Sequence, residues 1–145
     1  MRRTFFVLVL ALCTSPFASA QANFSGNWVY DADASTLPYS GDLTIIHSGN
    51  LLTMIQTTER GTSKFEYNLD ASERIDVTGE RTFKYRAVLE GNILHITGTV
   101  TSNAMVSRPS DNMYILSDNG RTLTRLATVV SQRERMVRKL VFRKK

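Results

Sequence analysis

His47 and His95 are the side chains best suited to acid–base or metal chemistry in this 145-residue chain. They occur in no His-x-His or His-x-x-x-His spacing, so a metal would need further ligands from elsewhere in the fold. Each stands close to a Gly-Asn pair, Gly49-Asn50 or Gly91-Asn92. Strand alternation sends His95 toward solvent and His47 toward the core side or its rim. Asp31 and Asp33, two residues apart, read as loop carboxylates rather than a paired acid and base. Serines are plentiful, but no Gly-x-Ser-x-Gly elbow presents one as a nucleophile. No glycine-rich phosphate loop is present. The residues therefore nominate no catalytic group, no metal site and no cofactor, and the expectation is a protein that is not an enzyme.

The only cysteine, Cys13, lies in a segment that reads as a targeting signal. Met1-Arg2-Arg3-Thr4 is basic, residues 5–12 are an unbroken apolar run, and Ala18-Ser19-Ala20 offers small residues before a cut. That apolar run is shorter than the roughly 20 residues that span a bilayer. The layout predicts a signal peptide over 1–20 and a single domain over 21–145, exported to a periplasm or secreted. Lipid anchoring through Cys13 is disfavoured because Leu12 stands where a small residue is needed. Cleavage would leave a cysteine-free domain without thiol chemistry. Loss of Arg2 and Arg3 would lower the net charge from +5 to +3.

The remaining positive charge is concentrated at the end. Arg133, Arg135, Arg138, Lys139, Arg143, Lys144 and Lys145 are opposed only by Glu134. Such a run reads first as a solvated edge that discourages strand addition. Phe142 is its sole aromatic, so nucleic acid is not an expected partner. An anionic cell-envelope component is the alternative partner that the charge suggests.

No stretch after Ala20 shows sustained helical periodicity. Short runs rich in Thr, Val, Ile, Tyr and Phe alternate with Gly-Asn, Asn-Gly and serine breaks, the pattern of strands. They fall at 24–30, 42–47, 51–58, 63–69, 82–90, 93–101, 113–117, 122–130 and 133–143. A two-residue loop at Gly91-Asn92 would set Leu89 against Leu94, Ala87 against Ile96, Tyr85 against Gly98 and Phe83 against Val100. The alternate face would carry Lys84, Arg86 and His95, so the hairpin is half-buried. A loop at Gly49-Asn50 pairs His47 with Leu52, Ile45 with Met54 and Leu43 with Gln56. At Asn119-Gly120 a two-residue loop would set Leu116 against Leu123 and Tyr114 against Arg125. A three-residue loop with Gly120 left-handed is equally open there. Eight or nine strands in an antiparallel up-and-down meander bury their edges best by closing into a small barrel. The charged outer face argues against a membrane barrel. Residues 103–110 read as an unusually apolar loop, a lid or a rim segment.

The opening Phe24-Ser25-Gly26-Asn27-Trp28 resembles the Gly-x-Trp start of lipocalin-like (calycin-type) proteins, most closely the small secreted bacterial ones. Leu116-Ser117-Asp118-Asn119-Gly120-Arg121-Thr122-Leu123 and the closing Leu140-Val141-Phe142-Arg143 are similar to the corresponding hairpin and last strand. The resemblance implies that Gly26 and Trp28 are structural, with Trp28 plugging the closed end of the barrel beneath a basic residue of the last strand. Alternation nominates Arg138 for that contact, with Arg143 as the alternative if a bulge shifts the phase. The resemblance implies no catalytic residue. Its functional expectation is a small apolar ligand held in the barrel, lined by Phe83, Tyr85, Leu89, Leu94, Ile96 and Val100.

Overall fold

A computed structural model describes residues 21–38, 41–102, 107–130 and 134–145. The leader over 1–20, residues 103–106 of the apolar segment 103–110, and the start of the basic run at Arg133 lie outside them. Ten strands follow in order: β1 (Gly26–Asp31), β2 (Asp42–Ser48), β3 (Leu51–Thr58), β4 (Gly61–Asn68), β5 (Arg74–Thr78), β6 (Arg81–Glu90), β7 (Ile93–Ser102), β8 (Ser107–Leu116), β9 (Thr122–Val130) and β10 (Arg135–Lys144). The described residues contain no helix, and hence none long and apolar enough to cross a membrane.

Every neighbouring pair in the sheet is antiparallel, and the spatial order is β4-β3-β2-β1-β10-β9-β8-β7-β6-β5. Tight turns make this meander, and β1 joins its two halves by pairing with β10. The two outer strands, β4 and β5, are consecutive in sequence and come to face each other. The sheet thus curls into a nearly closed all-β barrel whose one seam is not laddered by hydrogen bonds.

The pairings expected at Gly91-Asn92 and Gly49-Asn50 are those observed. At the third turn Leu116 faces Leu123 and Tyr114 faces Arg125, while Gly120 also adopts the left-handed φ of +66°. Two features of the longer loop and the shorter register are combined there, closed by the Ser117 N–H donating to Thr122 O at 2.9 Å.

The strand count exceeds the expected eight or nine because β5 was not legible. Its sequence, Arg-Ile-Asp-Val-Thr, runs opposite to a half-buried strand: Arg74 and Asp76 share a face with Tyr85 and Phe83, and Ile75 and Val77 point outward. The second correction concerns 107–110, which belong to β8 rather than to a loop. Pro109 disguises this stretch. It is tolerated because β9 begins to pair with β8 only at Asp111, leaving Pro109 at a locally free edge.

Alternation fills one end of the barrel with side chains. Phe24, Trp28, Leu43, Ile45, Leu52, Leu94, Leu123 and Phe142 are all almost completely buried. The segment before β1 crosses this end: the Trp28 indole donates to Phe24 O at 3.1 Å, and the Ala22 N–H donates to Gly91 O at 3.3 Å. The chain between β4 and β5 seals the same end, with Leu69 N–H donating to Asn50 O and Ala71 N–H to Ala87 O.

Candidate ligand-binding site

Above this plug the inward side chains no longer meet across the barrel, and a cavity of about 170 Å3 opens. Its walls come from six strands. β6 and β7 supply Phe83, Tyr85, Ile96 and Val100, four of the six lining residues expected from the sequence. Leu89 and Leu94 do not line it. They flank the Gly91-Asn92 turn at the closed end and are absorbed in the solid core, 8% and 0% exposed. Sequence reasoning missed the opposite wall: Met54 and Gln56 of β3, Phe65 and Tyr67 of β4, Tyr114 of β8 and Arg125 of β9.

Arg125 is the chemically distinctive residue. Its Nε and Nη2 donate to Asn112 Oδ1 at 3.0 and 2.8 Å, and its Cζ lies 5.6 Å from the Tyr114 ring centroid. Both partners are neutral, and among the described residues no carboxylate lies within ion-pair distance of it. A half-buried guanidinium with neutral partners thus stands beside a cavity whose lining is mainly apolar. The sequence held a signal for it: Leu123, Arg125 and Ala127 share a face, and Leu123 is core.

Tyr67 stands close to this cation. Burial pushes its phenol well above the usual tyrosine range, with Tyr114 and Tyr85 adding to the effect and Arg125 opposing it. It stays a neutral hydroxyl, able to donate one hydrogen bond and accept others. Among the described residues it makes no hydrogen bond, although it borders the cavity. One pole of the cavity therefore carries a guanidinium, an amide and phenols, and the rest of the lining is mainly aromatic and aliphatic, with Gln56 and Ser110 as further polar groups.

The seam between β4 and β5 is held by side chains. Arg74 bonds Glu66 at 2.7 Å and Asp76 at 3.4 Å. The Tyr85 hydroxyl donates to Asp76 Oδ2 and stands 3.1 Å from Glu66 O. Tyr67 and Tyr85 rings meet at 5.0 Å, and Phe65 and Phe83 meet edge-on at 6.2 Å. Burial, and then Asp76, push the Tyr85 phenol upward, whereas Lys64 and then Arg74 hold the Glu66 carboxyl below its ordinary value.

The histidines are structural. His47 accepts the Phe24 N–H at Nδ1 and meets Gly49 O through Nε2, tying the N-terminal segment to the β2–β3 turn. His95 faces outward and meets Asp111 at 2.8 Å. Among the described residues no cluster of His, Cys, Asp and Glu could hold a metal ion. Asp31 is held below its ordinary value by the Arg143 guanidinium 2.8 Å away and by the Ala34 N–H.

The cation over Trp28 is Lys144, not Arg138 or Arg143. Lys144 is the register partner of Trp28 and places Nζ 5.4 Å from the ring centroid. Arg138 pairs with Ala127 six residues back, roughly 20 Å along the strand. Arg143 points to the other face, toward Asp31 and Thr122.

No protein-family model and no curated protein sequence matches the chain. Solved structures do share its shape. Lipid binding protein 8 of Caenorhabditis elegans superposes with a TM-score of 0.64 at 13% identity, covering 84% of this chain and 95% of that one. Zebrafish ileal bile acid-binding protein complexed with cholic acid gives 0.62 at 15% identity, with 84% and 98% covered. A fatty acid-binding protein from Drosophila melanogaster brain tissue gives 0.61 at 17%, with 83% and 99% covered. This chain has the fold of the fatty-acid-binding proteins. At such identities the likeness establishes the barrel and its topology, so function must be argued from the cavity itself.

Proposed function

We propose that this is an exported, non-enzymatic binding protein that holds a small apolar carboxylate inside its barrel. Arg125 carries the proposal: a cation without an acidic partner at the edge of an apolar cavity is satisfied by the head of an amphipathic anion. Asn112 and the Tyr67 hydroxyl stand with it as polar groups, and Phe83, Tyr85, Ile96 and Val100 receive the apolar body. The named ligands of the structural neighbours, fatty acids and cholic acid, are of this chemical class. The leader-like sequence over 1–20 supports export to a periplasm or outside the cell.

The cavity's 170 Å3 is below the roughly 300–1,000 Å3 of ordinary ligand sites and close to the ~150 Å3 that holds one benzene ring. Octanoate is therefore a suitable probe. Calorimetry is expected to show one saturable site, weakened about 10- to 100-fold in Arg125→Met through loss of a charge-assisted hydrogen bond. Equal affinity in the two proteins would overturn the assignment of the head-group site. The competing reading is a basic last strand meeting an anionic envelope component. Arg135, Arg143 and Lys144 are engaged with Asp111, Asp31 and Trp28.

A further inference from the structure

Five of the side chains that border the cavity are aromatic: Phe65 and Tyr67 of β4, Phe83 and Tyr85 of β6, and Tyr114 of β8. On each of β4 and β6 the two rings stand two residues apart, so alternation turns both inward. The pairs meet across the seam. Phe65 and Phe83 are edge-on at 6.2 Å with planes at 73°, and Tyr67 and Tyr85 are tilted at 5.0 Å and 59°. Rings in such arrangements do not cover one another's faces, so ring surface stays available to a further ring.

The donors stand at one pole. Asn112 Oδ1 accepts from both Nε and Nη2 of Arg125, which fixes the guanidinium and leaves Nη1 without a protein partner among the described residues. Tyr67 is 8% exposed, and its hydroxyl is likewise unpartnered among the described residues. A buried hydroxyl of this kind calls for an acceptor inside the cavity. Arg125 is close enough to act on the Tyr67 phenol, so one anionic group can reach both donors. Volume sets the size of the guest. About 170 Å3 is close to the ~150 Å3 that holds one benzene ring, and too small for a fused-ring steroid such as cholic acid.

We propose that the ligand is a single-ring aromatic carboxylate, its ring among Phe65, Phe83, Tyr85 and Tyr114 and its carboxylate accepting from Arg125 and the Tyr67 hydroxyl. The proposal rests on the carboxylate reading of the cavity and narrows it to one substrate class. A planar ring on a short acid arm has little torsional freedom to lose on entering, whereas an alkyl chain of equal carbon number must freeze several torsions. Contacts between the guest ring and the wall rings add to what apolar burial alone supplies.

Calorimetry with phenylacetate, cyclohexylacetate, octanoate and hexadecanoate tests it. Cyclohexylacetate is the saturated counterpart of phenylacetate and the more apolar of the two, so burial alone would favour it. Phenylacetate is nevertheless expected to bind about tenfold more tightly, the scale of one or two aromatic contacts. Affinity should not rise from octanoate to hexadecanoate, because the cavity has no room for the added methylenes. Phe83→Leu keeps an apolar side chain at a half-buried position and should weaken phenylacetate at least about fivefold more than cyclohexylacetate. Saturable binding of the alkyl acids, with phenylacetate no tighter than cyclohexylacetate, would overturn the aromatic assignment and leave the carboxylate site standing. So would an affinity that climbs about tenfold or more from octanoate to hexadecanoate. Failure of all four acids to bind saturably would overturn both.

Discussion

Lys144 and Trp28 are directly opposite each other in the β1–β10 ladder, and the lysine ammonium lies 5.4 Å from the centre of the indole. Gly26 makes this approach possible. A Cβ built there would come within 2.7 Å of Lys144 Cε, and its φ of +152° also disfavours a side chain. The Gly-x-Trp spacing thus has a mechanical meaning in this chain. The glycine leaves room, two residues on, for the last strand's cation to lie over the tryptophan that plugs the barrel.

Trp28 is fully buried, so Trp28→Ala is expected to cost roughly 3–5 kcal/mol in denaturant unfolding. Lys144→Met should cost only about 0.5–1 kcal/mol, the scale of an exposed cation–π contact. Comparable losses for the two variants would mean that the lysine, rather than the indole, holds the closed end.

Gly98 should tolerate substitution worse than any glycine in a turn. A Cβ at this position would stand 2.0 Å from Lys84 O and 2.8 Å from Tyr85 Cα, both backbone atoms of β6. Gly98→Ala must push β7 from β6 at the cavity wall, costing at least about 1–3 kcal/mol. Gly91→Ala, with open space but a φ of +59°, should cost about 1 kcal/mol. Thermal melts of the two variants provide the comparison, and equal stability would contradict the contact.

Acid should weaken the seam. Glu66 is held below its ordinary value by Lys64 and Arg74, so its ionised form favours the folded state. That contribution is complete above the unfolded carboxyl value of roughly 4.3 and fades as pH falls through the depressed folded value. The stability gap between wild type and Glu66→Gln, read from urea midpoints, should therefore shrink between about pH 6 and pH 3. A constant gap across that range would show that Glu66 acts through shape rather than charge.

Much of the barrel was legible because its turns are. The Gly91-Asn92 and Gly49-Asn50 loops fixed register through alternation, which needs only neighbouring residues. Long-range choices were less visible. Even-numbered residues of β10 do face inward, so both Arg138 and Lys144 had the right parity for Trp28. Choosing between them required the pairing of strands more than a hundred residues apart. Arg125 was placed opposite Tyr114 by the same alternation, but an arginine on a core-facing stripe becomes informative only once the surrounding side chains are seen to leave a void. β5 escaped notice because its charges serve the seam, reversing the usual pattern of a half-buried strand.

The central claim is that an apolar carboxylate sits in the barrel with its head at Arg125. Carbon-13 NMR of carboxyl-labelled octanoate tests it most directly. The account predicts a distinct bound signal whose carboxyl titrates below the free acid, together with proton contacts to Ile96 and Tyr114, all lost in Arg125→Met. A carboxyl that titrates as in water, with no contact to these cavity residues, would contradict it.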